Sequence, residues 1–301
     1  MSVKNDARFL GLKIENLNLA NLCVVGFPWD LSSTFRKGVH EAPSVIRKIA
    51  KDEFYGDFTG DGVDLTRIWR VFDYGDVEAA KSTDEMRKRV YDVIRDLYSD
   101  ELRFLFLGGD HLITYFTLHA LTQLSKENWA LIYLDAHLDL EEEYKGDRYS
   151  HGSVVKRLVE ETNLRAESVV EVGIRAPLPS ELEFADDVGI RIVSTVEFER
   201  LGASDAAKQV LKFLPKDVEK VYLSIDLDIL DPAYAPGLSY PEAGGISTRS
   251  LLDFIHGLKE LEIVAFDVVE LCPPYDNRSN ITAIGAIKII LETLGIMRPG
   301  S

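Results

Sequence analysis

Apolar residues along this chain fall into two recurring patterns, short unbroken runs and longer stretches spaced by threes and fours. The unbroken runs lie at 22–26, 69–72, 103–107, 130–134, 168–174, 190–194, 221–225 and 263–269. Three of them, widened to 102–107 and 129–134 and with 221–225, are nearly all apolar and rich in β-branched or aromatic residues, which predicts strands covered on both faces. Between the runs, 84–97, 113–124, 152–161, 203–214, 248–258 and 280–294 carry the stripe of an amphipathic helix. Strand and helix alternating from end to end predict βα units around a mainly parallel sheet. No Pro/Gly/Ser-rich linker and no internal repeat interrupts the alternation, so one domain is expected over 1–301. The last residues, Arg298-Pro299-Gly300-Ser301, are expected to fray.

Polar positions carry information where three of these runs stop. Gly108-Gly109-Asp110-His111, Asp135-Ala136-His137-Leu138-Asp139 and Asp226-Leu227-Asp228 follow them directly. In open α/β sheets ligands gather beyond the carboxyl ends of strands, so residues placed there converge whatever their distance in sequence. One such segment is ordinary turn chemistry. Three of them bring six metal donors, His111, Asp135, His137, Asp139, Asp226 and Asp228, and together they point to a binuclear metal site.

Four neighbouring aspartates raise one another's pKa, and two divalent cations remove that conflict better than one. Oxygen donors outnumber the two imidazoles, which favours Mn²⁺ over tetrahedral Zn²⁺. Two metals sharing a water lower its pKa and aim it at an electrophile, so the expected chemistry is metal-assisted hydrolysis. His151 opens a helical stretch and is either a proton shuttle or a helix cap. Glu270 ends the last strand and suits the flat donor fork of a guanidinium, or is a solvated strand end. Asp110, next to a ligand, is expected to orient a ligand or its water by hydrogen bonding. His119 and His256 read as packing or surface residues, and His40, in a polar loop, stays open.

Composition narrows the setting. With 34 basic and 50 acidic residues the formal charge is −16, which disfavours nucleic acid and anionic membranes and favours small cationic partners. No apolar stretch is long enough to span a bilayer and no signal-peptide pattern opens the chain, so a soluble cytoplasmic protein is expected. Cys23 and Cys272, each in apolar surroundings, read as buried free thiols.

These residues, in this order, resemble the ureohydrolase family of arginases, agmatinases, guanidinobutyrases and formiminoglutamases. The resemblance runs from Gly26-Phe27-Pro28-Trp29-Asp30 and Phe35-Arg36-Lys37-Gly38 through Asp73-Tyr74-Gly75-Asp76-Val77 to Asp226-Leu227-Asp228-Ile229-Leu230-Asp231-Pro232 and Asp267-Val268-Val269-Glu270. It implies a single three-layer α/β/α domain with an eight-stranded parallel sheet, assembled as a homotrimer or homohexamer. It implies one Mn²⁺ on His111, Asp135, Asp139 and Asp226 and a second on His137, Asp135, Asp226 and Asp228, with Asp135 and Asp226 bridging. His151 would shuttle protons and Glu270 would fix the guanidinium while activated water adds to its carbon, giving urea and an amine.

The segment between Asp139 and His151 lacks the Ser-Gly-Asn of arginases and reads as acidic, Glu141-Glu142-Glu143, closest to the agmatinase branch. Agmatine, giving putrescine, is therefore the expected substrate. Guanidinobutyrate stays open through Lys145 and Arg148, as do arginine and formiminoglutamate. An inactive paralogue that binds a ligand or serves as an assembly subunit is the non-enzymatic alternative. A one-zinc deacetylase of the related fold would need adjacent histidines, and none occur. The chain departs from the family at Leu112 and at Leu238-Ser239-Tyr240, where Tyr240 would set a bulky ring beside the metal crevice.

Overall fold

Strands and helices alternate along the chain, as the apolar pattern requires. In order they are β1 (Leu22–Gly26), α1 (Ala42–Asp52), β2 (Val71–Asp76), α2 (Thr83–Leu97), β3 (Arg103–Leu107), α3 (Leu112–Leu124), β4 (Trp129–Leu134), α4 (Val154–Glu161), β5 (Val169–Ile174), α5 (Pro179–Val188), β6 (Arg191–Ser194), α6 (Thr195–Leu201), α7 (Ala203–Phe213), β7 (Lys220–Asp226), α8 (Thr248–Gly257), β8 (Ile263–Val269) and α9 (Ile281–Ile296). The structure, a computed structural model, describes residues 14–52 and 57–300. The eight strands form one sheet in the order β2-β1-β3-β8-β7-β4-β5-β6. Every pairing is parallel.

Successive side chains of a strand point to opposite faces, and here both faces are dry. Val24, Leu105, Ile132 and Leu223 enter a core with α1, α7, α8 and α9. Their neighbours Val25, Phe106, Leu131 and Tyr222 enter a second core with α2, α3 and α4. The result is the three-layer α/β/α domain that the resemblance implied. None of the helices among the described residues is long and apolar enough to cross a membrane.

The second strand differs most from expectation, running Val71–Asp76 rather than 69–72. Trp69 is held out of it by donating its Nε1 hydrogen to the Leu294 carbonyl at 3.0 Å. The strand continues through polar residues because buried Arg47 of α1 donates to both Asp73 oxygens at 2.9 Å and to Asp76 at 2.5 Å. Three helices, α1, α5 and α6, were not expected. Helix α6 is only seven residues long, and α5 buries little beyond Glu181 and Ala185, so neither carries a legible stripe. The carboxyl end does not fray at Arg298: Met297 is buried, and the Arg298 carbonyl accepts from the Arg103 guanidinium at 2.9 Å. Buried Arg103 needs that acceptor. Ser301 lies outside the described residues.

The four central strands are neighbours in the order β3, β8, β7, β4. Their carboxyl ends lead into His111, Glu270, Asp226 and Asp135 respectively. Chain order and sheet order differ here, which opens a crevice at the switch between crossovers.

Candidate metal centre

Each donor is set in place by the backbone just beyond a central strand. Between β3 and His111, Gly109 runs against the backbone of Trp29, where an added Cβ would lie 1.9 Å from the carbonyl oxygen. Only glycine permits that approach. Asp226 closes β7, and its Oδ1 accepts from the Asp228 backbone N–H at 2.7 Å. Asp135 does the same for His137 at 2.6 Å, so both aspartates are oriented by their own turns.

All six donors meet. His111 Nδ1 lies 2.9 Å from Asp135 Oδ2, 3.2 Å from Asp226 Oδ2 and 3.5 Å from Asp139 Oδ2. His137 Nδ1 lies 3.3 Å from Asp135 Oδ1 and 3.0 Å from Asp228 Oδ2. Two groups able to hold a cation result, His111 with Asp135 and Asp139, and His137 with Asp135 and Asp228. Asp135 serves both, one oxygen each. Asp226 turns Oδ2 to His111, while its Oδ1 accepts from the Asp228 N–H.

Electrostatics favour cations here. Burial raises Asp139 and Asp226 well above the ordinary carboxylate value and Asp228 above it, and the charges of neighbouring aspartates add to this. Burial alone would lower His111 and His137, yet the surrounding acids push both up. Asp135 is held low because hydrogen bonds from both imidazoles outweigh its burial. Four buried aspartates around two imidazoles carry surplus negative charge that a pair of divalent ions would neutralise, so the donor set fits a binuclear centre.

A polar row under His111 supports it. Ser224 Oγ donates to Asp267 Oδ1 at 2.9 Å, which leaves its lone pairs to take the Nε2 hydrogen of His111 at 2.8 Å and aims Nδ1 at the acids. Asp267 also accepts from Thr114 at 2.7 Å and Tyr222 at 2.6 Å. Tyr133 lies flat on the His111 ring, 4.3 Å between centroids, and its hydroxyl donates to Asp139 at 2.5 Å. Asp267, Ser224, Tyr133 and Glu171 are register partners across β8, β7, β4 and β5. Sequence reasoning passed over their roles; the available signal was a lone polar residue inside each apolar run.

His151 faces the same cavity, with Nε2 3.0 Å from Thr34 Oγ1. Burial, followed by the charges of His137 and His111, pushes its pKa down to about 4. The capping role belongs to Ser150, whose hydroxyl accepts from the Gly152 N–H at 3.3 Å. Glu270 is buried and adopts a left-handed backbone, φ 64°. Its Oε1 accepts from the His111 N–H at 2.7 Å and its Oε2 from the Ser239 hydroxyl, so it is no solvated strand end. Burial and the charge of Asp110 raise it to about 8.

Asp110 corrects the expectation made for it. It points away from the donors, toward the loop after β1, and accepts from the backbone N–H groups of Ser32, Ser33 and Leu112 at 3.0, 3.2 and 3.2 Å. His40 is half exposed and pairs with Asp30 at 2.7 Å. His119 packs beside Tyr115, and His256 bonds Glu292 at 2.6 Å. None of these lines the cavity, and neither does Leu112.

The cavity holds about 280 Å³. Besides the six donors, His151 and Glu270, its walls are Glu141, Tyr144, Gly152, Ala176, Leu178, Glu181, Tyr240 and Glu242. No lysine or arginine is among them. Nearby cations are committed elsewhere: Lys145 to the Thr34 carbonyl at 3.3 Å, Arg148 to Glu142 at 2.5 Å, and Arg175 to the Glu242 carbonyl at 2.7 Å.

Residues 20–295 match the Arginase family. Proclavaminate amidinohydrolase of Streptomyces clavuligerus is 31% identical over 281 residues, 91% of this chain and 87% of that protein. Guanidinopropionase of Pseudomonas aeruginosa is 32% identical over 270 residues, 87% of this chain and 82% of that protein. A crystal structure described as a hypothetical agmatinase from Burkholderia thailandensis superposes with a TM-score of 0.84 at 31% identity, covering 94% of this chain and 87% of that one. With this match along nearly the whole sequence, this sheet order and this ring of acids and imidazoles, the chain belongs to the arginase family, hydrolases that act on guanidino compounds.

Proposed function

We propose that this protein hydrolyses agmatine to urea and putrescine at a pair of Mn²⁺ ions. The observation that carries the choice of substrate is the cavity wall, which has Glu141, Glu181 and Glu242 and, among the described residues, no lysine or arginine. A tail ending in an amine is welcome there. A tail carboxylate, as in arginine or guanidinobutyrate, would be buried among acids without a cationic partner, at a cost on the order of several kcal/mol.

In this reading His111, Asp135, His137, Asp139, Asp226 and Asp228 would hold the metals, whose chemistry when bound would be to make water acidic enough to serve as a nucleophile near neutral pH. Glu270, held by the His111 N–H and Ser239, offers its remaining lone pairs to the guanidinium, whose positive charge would draw it into the ionised form against the burial that raises it. His151, neutral at pH 7, takes up a proton and delivers it to the departing amine, with Thr34 orienting the ring. The family resemblance extends the proposal to a homotrimer or homohexamer working in the cytoplasm, and light scattering measures its size.

The test is to strip metal, restore Mn²⁺, and follow urea release from agmatine, arginine and guanidinobutyrate, with formamide release from formiminoglutamate. Metal-dependent turnover with agmatine as the best substrate is expected. A preference for arginine overturns the substrate, and no turnover of any of the four overturns the enzyme.

A further inference from the structure

The segment Leu238-Ser239-Tyr240 is clamped to the metal-bearing strands. Leu238 pairs with Leu271 just beyond β8, and the Ser239 N–H reaches the Glu270 carbonyl at 3.3 Å. On the far side Arg175 donates to the carbonyls of Glu242 at 2.7 Å, Ala243 at 3.2 Å and Asp228 at 2.5 Å. Tyr240 is therefore held at both flanks, and its ring has one place to go. It stands edge-on to His137, 5.4 Å between centroids at 84°, and lies 6.2 Å from His151. Phe35 backs it from outside at 5.7 Å.

Tyr144 walls the cavity from another loop. Its ring meets His151 edge-on at 5.5 Å and rests on Gly152, where an added Cβ would lie 3.4 Å from the ring. Glu141 and Glu242 line the same cavity, and neither forms an ion pair among the described residues. The third glutamate, Glu181, is occupied by the N–H groups of Leu140 and Leu178. The Tyr144 ring already carries the Lys145 ammonium, 5.5 Å from its centroid, so the Tyr240 ring and two carboxylates without ion pairs among the described residues border the route that a substrate tail must take away from Glu270.

We propose that Tyr240 is the specificity-determining residue of this enzyme. Its ring offers a face to a cationic, unbranched tail, supported by Glu141 and Glu242, and its bulk excludes a substituent on the tail carbons. The substrate class is a linear aminoalkylguanidine. This inference rests on the guanidino reading of the cavity.

Two substitutions separate bulk from polarity. Tyr240→Phe keeps ring and volume, whereas Tyr240→Thr removes both. With agmatine, butylguanidine and arginine as substrates, Tyr240→Thr is expected to raise KM for agmatine about tenfold with a smaller change in kcat, the mark of lost ground-state binding. The agmatine-to-arginine ratio of kcat/KM should fall about tenfold or more in Tyr240→Thr and stay near wild type in Tyr240→Phe. An unchanged ratio in Tyr240→Thr overturns the proposal, as does equal use of agmatine and butylguanidine by the wild type. Calorimetric binding of 1,4-diaminobutane needs no turnover and keeps the two readings apart. Binding by wild type that weakens in Tyr240→Thr supports the inference even if no guanidine is hydrolysed, and equal or absent binding in both sinks it even if agmatine is.

Discussion

Asp135 turns one oxygen toward His111 and the other toward His137, whereas Asp228 faces His137 alone. Their substitutions should therefore differ in kind. Asp135→Ala is expected to lose both ions and all turnover, and Asp228→Ala to keep the ion of the His111 group, measured as metal per chain by mass spectrometry after dialysis. Equal metal content in the two variants would refute the sharing. His151 touches Thr34 and the cavity but neither imidazole group directly. His151→Phe should leave metal content intact and slow turnover about 10²-fold to 10⁴-fold. An undiminished rate would reduce the residue to a wall of the cavity.

At the scale of elements, the central strands carry a polar row through an otherwise apolar sheet. Most of its members satisfy one another, but both carboxyl oxygens of fully buried Glu171 on β5 lack a protein partner. Burial, reinforced by Asp139 and Asp135, raises Glu171 well above its ordinary value of 4.5. A carboxyl raised in the folded state costs stability wherever the unfolded chain would ionise it. The cost is absent below the unfolded value and grows as pH climbs above it. Glu171→Gln should therefore stabilise the protein by about 1–3 kcal/mol near pH 7.5 and by nothing near pH 4, from denaturant unfolding in metal-free buffer at both pH values. A gain of equal size at both would point to packing and away from ionisation.

For the molecule as a whole, the charge of −16 and an acid-walled cavity act in the same direction on a cationic substrate. Long-range attraction of this kind is screened by salt. Raising NaCl from about 0.05 M to about 0.5 M should lower kcat/KM for agmatine several-fold while barely affecting guanidinobutyrate, whose net charge is zero. Identical salt profiles for the two would show that the charge serves solubility alone.

How far the sequence reaches can be judged from particular residues. The six donors and Glu270 were legible because they lie just past apolar runs, where polar side chains of a parallel sheet can leave the core, and His151 because it opens a helical stretch. Ser224, Asp267 and Tyr133 were not, since inside a run they look like exceptions; only the register of β4, β7 and β8 lines them up beneath His111. Asp110 shows the reverse case, a residue beside a ligand whose side chain the Gly108-Gly109 turn sends to the opposite side, onto the backbone of Ser32 and Ser33. Helices α5 and α6 escaped notice because they bury too little to write a stripe.

Local pattern determined which segments become strands and helices and which side chains lie at strand ends, because hydrophobic burial acts on each segment wherever it packs. Tertiary structure alone decided the partners: which oxygen of Asp135 meets which imidazole, that Lys145, Arg148 and Arg175 bond to backbone carbonyls and a carboxylate, and that Tyr240 stands edge-on to His137. Those facts depend on distances between strands far apart in the chain, fixed by the order of crossovers, and no single stretch of sequence contains them.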